Sequence, residues 1–159
     1  MCGGIAAKLG RIPKEELEKY YDERRISLFK DRGEFASNFW DAKPVLPVEV
    51  DGKVELKNWG NRDKRAPFPQ TGWAKMESIR DGKWGWLNPK PVKILADRGV
   101  EKGVWFDFGE HQTNGILVEK DGDERAYMIT EAATEDYQAK TGHNRMPIGE
   151  KLNFQSRQN

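Results

Sequence analysis

The single cysteine of this 159-residue chain is its second residue, and two glycines, Gly3 and Gly4, follow it. If Met1 is removed, Cys2 carries a free α-amine with a pKa of about 7.7–8.0, so a useful fraction is neutral and nucleophilic near neutral pH. This amine can form an imine with an aldehyde, and the thiol of the same residue can then close a thiazolidine ring. The alternative interpretation is a partly buried cysteine that happens to follow methionine.

The residues that could bind zinc are too few for a metal site. Beside its one cysteine the chain holds two histidines, His111 and His143. A structural zinc site usually takes four Cys or His ligands, and a lone thiol cannot form an intramolecular disulfide. We therefore expect no metal and no cofactor.

Basic residues and tryptophans are concentrated in one part of a chain whose formal net charge is only +1. Residues 57–93 contain nine basic and three acidic residues, so their net charge is +6 and that of the rest of the chain is −5. The same segment contains four of the six tryptophans. Basic side chains neutralise phosphates and exposed aromatic rings stack on unpaired bases, which suits single-stranded nucleic acid. The alternative is that these tryptophans belong to the core and the charges to a solvated face.

Local patterns predict the elements that must position these groups. A strand-like N-terminus precedes a helix that begins near Ile12–Glu16 and carries apolar residues at near-helical spacing, Leu17, Tyr21 and Leu28. An Asp-Gly pair at 51–52 between alternating residues predicts a hairpin over 48–56. Residues 60–90 are rich in Gly and Pro and are interpreted as a long irregular connection. The remaining predicted elements are strands at 91–96, 103–108, 115–120 and 125–130, and a helix at 134–141 capped by Thr134.

These elements predict an α+β fold with a mixed, mainly antiparallel sheet or barrel-like core and a few helices. We expect one domain over 1–159, with its core at about 1–148 and a short tail at 149–159. No apolar run is long enough to span a membrane, and the N-terminus lacks the basic start and apolar stretch of a signal peptide. The expectation is a cytoplasmic monomer without membrane contact, nucleoid-associated if bacterial or viral.

Several motifs occur in a fixed order. They are Met1–Gly4, residues 37–48, Trp59-Gly60, residues 73–78, residues 103–108, residues 127–133, and His143-Asn144-Arg145-Met146-Pro147. This series, which spans residues 1 to about 148, resembles the SRAP family (SOS response-associated peptidases, also called abasic-site processing proteins).

The resemblance implies a function in the DNA damage response and DNA repair. Such a protein removes its own Met1, binds single-stranded DNA at abasic sites and captures the ring-opened sugar aldehyde on Cys2. The product is a thiazolidine DNA–protein crosslink, so the implied activities are an autopeptidase and a lyase-like crosslinking reaction. The family fold, a mixed-β structure with a positively charged groove, agrees with the predicted elements.

The resemblance also implies residue roles. Cys2 is the expected nucleophile, and His143 lies where the family has the histidine that assists opening of the sugar ring. Asp107 falls on the family's catalytic glutamate, although its side chain is one methylene shorter and its carboxylate retreats by roughly 1 Å. The residues expected to contact DNA are Lys75, Arg145, Trp59, Trp73, Asn38 and Arg62.

Two further positions depart from the family pattern. Trp73 replaces an asparagine whose amide helps to position the terminal amine, and indole has one N–H donor and no acceptor. Gln70, Thr71 or Asn38 could supply that group instead. Gly4 stands where an arginine is usual, which removes one expected DNA contact.

Two other functions stay open at the level of the sequence. One is a non-catalytic module that binds single-stranded DNA with the SRAP fold, motivated by Trp73 and Asp107. The other is an N-terminal-nucleophile glutamine amidotransferase, because such domains also begin with a Met-Cys-Gly-like sequence, although their downstream substrate-binding motifs are not found here.

Overall fold

Two β-sheets form the framework of the fold, and the computed structural model describes residues 2–148 and 152–153. The first sheet is antiparallel and contains, in spatial order, β12 (Leu152–Asn153), β8 (Val104–Phe108), β7 (Arg98–Glu101), β1 (Gly4–Lys8) and β2 (Glu34–Asn38). The second contains β11 (Arg145–Pro147), β10 (Asp123–Ala132), β9 (Gln112–Lys120), β6 (Lys90–Leu95), β3 (Val45–Val50) and β4 (Lys53–Asn58). A further strand, β5 (Trp73–Lys75), pairs with β10 in parallel.

The α-helices are α1 (Lys14–Tyr20), α2 (Glu23–Arg32), α3 (Met76–Arg80) and α4 (Glu135–Thr141). The expected α+β class with a mainly antiparallel sheet is therefore confirmed. The described strands form two sheets rather than a closed barrel. The predicted tail at 149–159 lies outside the described residues, apart from β12.

Tight turns define three hairpins of the two sheets. The predicted hairpin at 48–56 is confirmed, and its strands β3 and β4 extend over 45–58. Asp51 and Gly52 both have positive φ, 50° and 81°, the backbone of a two-residue loop that matches the twist of the strands. Lys102 and Gly103 repeat this geometry between β7 and β8, and an Asp-Gly pair at 121–122 repeats it between β9 and β10.

The first predicted helix is two helices. Tyr21 has extended backbone, and the Asp22 side chain caps α2 by accepting a backbone N–H at 2.9 Å. Asp22 is therefore the N-cap of a second helix, α2, whose buried face does not continue that of α1. Ile26 and Phe29 enter the core, whereas Leu28 remains about half exposed. The helix predicted at 134–141 is confirmed, with Thr134 as its cap.

The main hydrophobic core contains residues from both sheets, among them Phe35 of β2, Trp59, Phe106 of β8 and Tyr137 of α4. A second cluster around Trp84 lies where residues 66–87 pack on β9 and β10. Residues 60–90 are thus less irregular than expected, because they include β5 and α3. None of the described helices combines the length and apolar content that are needed to cross a bilayer.

Candidate functional site

The backbone around Cys2 is held from three directions. The Gly3 N–H donates to the Val100 carbonyl of β7 at 2.9 Å, and the Gly3 carbonyl accepts from the Phe39 N–H at 3.0 Å. The indole Nε1–H of Trp73 donates to the Cys2 carbonyl at 2.9 Å. The N-terminal residues are therefore fixed between β7, the end of β2 and β5.

The Cys2 side chain is completely buried. Its Sγ–H donates to the Gly4 carbonyl at 2.9 Å, and a methyl group at Gly99 would lie 2.8 Å from Sγ and from the Phe106 ring. Burial raises the pKa of the thiol from 9.0 to about 12, with a further contribution from the negative charge of Glu101. In this structure Cys2 is a neutral core residue, as the alternative interpretation of the sequence expected.

A buried carboxylate that the sequence analysis did not select lies near Cys2. Glu101 is the last residue of β7 and is 8% exposed. Side chains alternate along a strand, so Glu101 shares the inner face of β7 with Gly99, against which the Cys2 sulfur packs. The negative charge of Glu101 contributes to the raised pKa of Cys2 and of Tyr137. It also acts on His143, where it opposes the lowering of the pKa by burial.

His143 follows α4 and is half-buried beside the same group of residues. Its backbone N–H donates to Thr141 Oγ1 at 3.2 Å, and its Nδ1 accepts the Arg145 N–H at 3.1 Å. A neutral imidazole that accepts at Nδ1 carries its proton on Nε2. Burial lowers the pKa of His143 below 6.5, and the positive charge of the chain's amino terminus lowers it further. The imidazole is therefore neutral at pH 7.

Asp107 does not meet Cys2, and its assignment to the site is corrected. Phe106 points into the core beside the Cys2 sulfur, and its neighbour Asp107 consequently lies on the opposite face of β8. There Asp107 is exposed and pairs in register with Arg98 of β7. Glu101 replaces it as the candidate carboxylate.

The signal that could have identified Glu101 is the turn that follows it. The resemblance assigns the glutamate-bearing motif to the strand predicted at 103–108, and no strand is predicted over β7. Gly103 suits the second position of a two-residue hairpin loop, but lysine is not typical of the first, so Lys102-Gly103 is a weaker signal than Asp51-Gly52. It is compatible with a strand that ends at Glu101.

Two tryptophans expected to contact DNA have other places in the structure. Trp59 is 1% exposed and donates its indole N–H to the Gly72 carbonyl at 2.9 Å. It therefore has no ring face for a base, which corrects that prediction. Trp73 is half-buried, with its ring 4.9 Å from Phe39, and its N–H holds Cys2. The Trp73 indole therefore fixes the carbonyl of Cys2.

Asn38 lies beside the N-terminal strand and explains the glycine at position 4. Asn38 pairs with Gly4 across β1 and β2. A methyl group on Gly4 would collide with Asn38 Oδ1 and would lie 3.0 Å from a Val100 methyl group. A larger residue at this position would therefore require the Asn38 side chain to move and the Val100 methyl group to shift.

The three expected phosphate-binding cations differ in their surroundings. Lys75 ends β5, is exposed and pairs in register with Thr130. Arg145 donates to the Glu77 carboxylate through Nη1 and Nη2 at 2.8 and 2.9 Å, and Nη2 also donates to the Thr130 carbonyl at 2.9 Å. The hydrogen bond from Arg145 lowers the pKa of Glu77 to about 2. Arg62 is exposed and extends over the ring of Phe39.

The described residues contain no group of three or more Cys, His, Asp or Glu side chains that could hold a metal ion.

No family model matches the chain, and no curated protein matches it. A solved structure is similar in fold: the X-ray crystal structure of a protein from Bacteroides thetaiotaomicron, a target of the Northeast Structural Genomics Consortium. The two chains are 16% identical with a TM-score of 0.58, and the similarity covers 92% of this chain and 75% of the other. At this identity the similarity shows the arrangement of the two sheets and the helices and carries no statement about function.

Proposed function

We propose that this protein captures abasic sites in single-stranded DNA on Cys2 after removal of Met1, and that Glu101 and His143 move the protons. The observation that carries the proposal is the position of the buried Glu101 on the face of β7 against which the Cys2 sulfur packs, where its charge acts on both Cys2 and His143. A thiol and an amine on one residue are the chemical requirement for a thiazolidine. The motif series that resembles the SRAP family supports the same function.

Removal of Met1 is the first chemical requirement. While Met1 is present, the nitrogen of Cys2 is an amide and cannot form an imine. Hydrolysis of the Met1–Cys2 bond consumes one water and leaves an α-amine with a pKa of about 7.7–8.0. The hydrogen bond from Trp73 Nε1–H to the Cys2 carbonyl fixes one side of the same residue.

Capture then proceeds in two steps that release one water. The neutral amine adds to the C1′ aldehyde of the opened sugar, and the carbinolamine loses water to give an imine. The S–H of Cys2 adds across the C=N bond, with sulfur bonding to carbon and the proton moving to nitrogen. Because burial raises the pKa of the thiol to about 12 and so disfavours the thiolate, we place the attack of the amine first.

The two flanking residues have complementary proton chemistry. Neutral His143 presents an N–H at Nε2, which suits a hydrogen bond to the sugar ring oxygen as the ring opens. The Glu101 carboxylate is an acceptor for the proton of the attacking amine.

A crosslinking assay tests the proposal. The mass of the purified protein is first measured by intact mass spectrometry. The protein is then mixed with single-stranded DNA that carries one abasic site. We expect loss of one methionine and a DNA adduct that survives denaturation. Cys2→Ala must bind the DNA without forming the adduct, and DNA with its abasic aldehyde reduced to an alcohol must give none. Retention of Met1, or crosslinking by Cys2→Ala, would refute the proposal.

The buried thiol favours a second candidate, a module that binds single-stranded DNA without chemistry. A pKa of about 12 and complete burial describe a structural cysteine, and Trp73 occupies the position of the family's asparagine. This candidate predicts salt-sensitive binding of damaged and undamaged strands alike, with no adduct that survives denaturation. The same assay therefore separates the two functions.

A further inference from the structure

Trp40 is exposed on a loop that is itself well fixed. Its side chain is 71% exposed, the largest value among the large hydrophobic residues described. The neighbouring Phe39 is buried, and Asp41 closes the loop by accepting the Asn38 N–H on its side chain at 2.9 Å. The Asp41 N–H in turn donates to the Asn38 carbonyl at 3.0 Å. The loop therefore presents the indole outward on a defined backbone.

An arginine is held beside this indole. The guanidinium of Arg62 lies 6.0 Å from the centre of the Trp40 ring and 5.8 Å from that of Phe39. Its Nη2 donates to the carbonyls of Asp41 and Ala42 at 2.7 and 3.4 Å. A guanidinium has five N–H donors, so these contacts orient the group and leave donors for a phosphate.

A cationic cavity adjoins Arg62. It has a volume of about 360 Å³ and is lined by three cations, Lys43, Arg62 and Arg125, and by one carboxylate, Asp63. Arg125 is fixed there by hydrogen bonds to the Gly60 carbonyl at 3.0 Å and to Asn61 Oδ1 at 3.2 Å. Arg125 also forms an ion pair with Asp123 at 2.9 Å, so Lys43 and Arg62 are the cations that suit a phosphate here. The volume is in the range of small-ligand sites.

Aromatic contacts connect this surface to the N-terminus. The ring of Phe39 lies 5.0 Å from Trp40 and 4.9 Å from Trp73, whose N–H binds the Cys2 carbonyl. Two ring contacts and one hydrogen bond therefore connect Trp40 to the Cys2 carbonyl.

We propose that Trp40 and Arg62 form a stacking platform for one unpaired base of single-stranded DNA, with the adjoining phosphate bound by Arg62 and Lys43 at the mouth of the cavity. An indole face stacks on any base, and the neighbouring guanidinium adds a cation for the backbone. Only the placement of this base next to the reacting nucleotide rests on the proposed function. The binding itself does not require the Cys2 chemistry.

Binding of an undamaged oligothymidylate, measured by fluorescence anisotropy at moderate salt, tests the platform. We expect Trp40→Ala to weaken binding about 5- to 150-fold, which is the effect of losing one stacked base. Trp40→Phe, which keeps an aromatic face, should recover part of the affinity. The matched control is Trp86→Ala, because Trp86 is also strongly exposed, whereas Trp40 is the exposed tryptophan over which the Arg62 guanidinium lies. Arg62→Ala should reduce the slope of log affinity against log salt concentration by about the amount of one phosphate contact.

The outcomes separate this inference from the proposed function. Equal binding by the Trp40→Ala and Trp86→Ala variants would overturn the platform, even if the protein crosslinks abasic DNA. Competition by inorganic polyphosphate as effective as by the oligothymidylate would also overturn it, since charge alone would then explain binding. Weakened binding by Trp40→Ala in a protein that forms no crosslink would support the platform and refute the proposed function.

Discussion

Replacing Glu101 by glutamine separates the charge of the carboxylate from its shape. The side chain is 8% exposed at the end of β7, and its negative charge raises the pKa of the Cys2 thiol. Glutamine has nearly the same volume but holds no charge and accepts no proton. Glu101→Gln should therefore lower the pKa of the Cys2 thiol and at the same time slow capture of the aldehyde.

The two effects have opposite consequences for a thiol reaction, which makes the test decisive. If the thiolate limited capture, a lower thiol pKa would accelerate the reaction. If Glu101 moves the proton of the amine, the loss of one general acid–base group should slow the reaction about 10²- to 10⁴-fold. The exposed residue Asp107 supplies the matched control, because Asp107→Asn should change the rate by no more than about twofold.

The assay follows adduct formation with single-stranded abasic DNA at saturating protein, on denaturing gels over time. Affinity for undamaged DNA is measured in parallel and should be unchanged in the Glu101→Gln variant. Thiol ionisation is followed by the ultraviolet absorbance of the thiolate as pH is raised. A slow Asp107→Asn variant beside an unaffected Glu101→Gln variant would refute our assignment of the carboxylate.

Three other perturbations follow from named contacts. Because folding raises the pKa of Cys2 from 9.0 to about 12, its contribution to stability is fully present below pH 9 and is lost as pH rises towards 12. Urea denaturation should show this alkaline loss in the wild type and a smaller loss in Cys2→Ala. Trp73→Phe removes the N–H that binds the Cys2 carbonyl and should lower the free energy of unfolding by about 1 kcal/mol, measured in the same way. Glu77→Gln replaces the carboxylate that pairs with the guanidinium of Arg145 by a neutral amide. The affinity for single-stranded DNA should therefore rise, and the slope of its salt dependence should increase by about one phosphate contact.

Local chemistry made part of the fold predictable from the sequence. The hairpin around Asp51 and Gly52 needs two residues that tolerate positive φ, and α4 needs only the Thr134 cap and a terminal glycine. The division of the first helix at Asp22 also has a local cause, the Asp22 cap, but apolar residues continue at near-helical spacing across it and so predict one helix.

The candidate site was less predictable because non-local packing determines it. β7 is a four-residue strand that exists through pairing with β1 and β8, and only this pairing brings Glu101 to Cys2. Likewise, composition cannot distinguish a buried tryptophan such as Trp59 from an exposed one such as Trp40. The difference depends on which strands pack over each ring.

Burial of the thiol and covalent capture are compatible only if the amine reacts first. Once an imine has formed on the nitrogen of Cys2, the former aldehyde carbon of the sugar is bound to the same residue that carries Sγ. Ring closure is then an intramolecular reaction. Well-oriented intramolecular reactions reach effective molarities of about 10⁵–10⁸ M, which can offset a small thiolate fraction. A thiol with a pKa of about 12 is then protected from external electrophiles but remains able to close the ring. The same burial that argues for a structural cysteine thus also describes a nucleophile that acts only on an aldehyde already bound to its own residue.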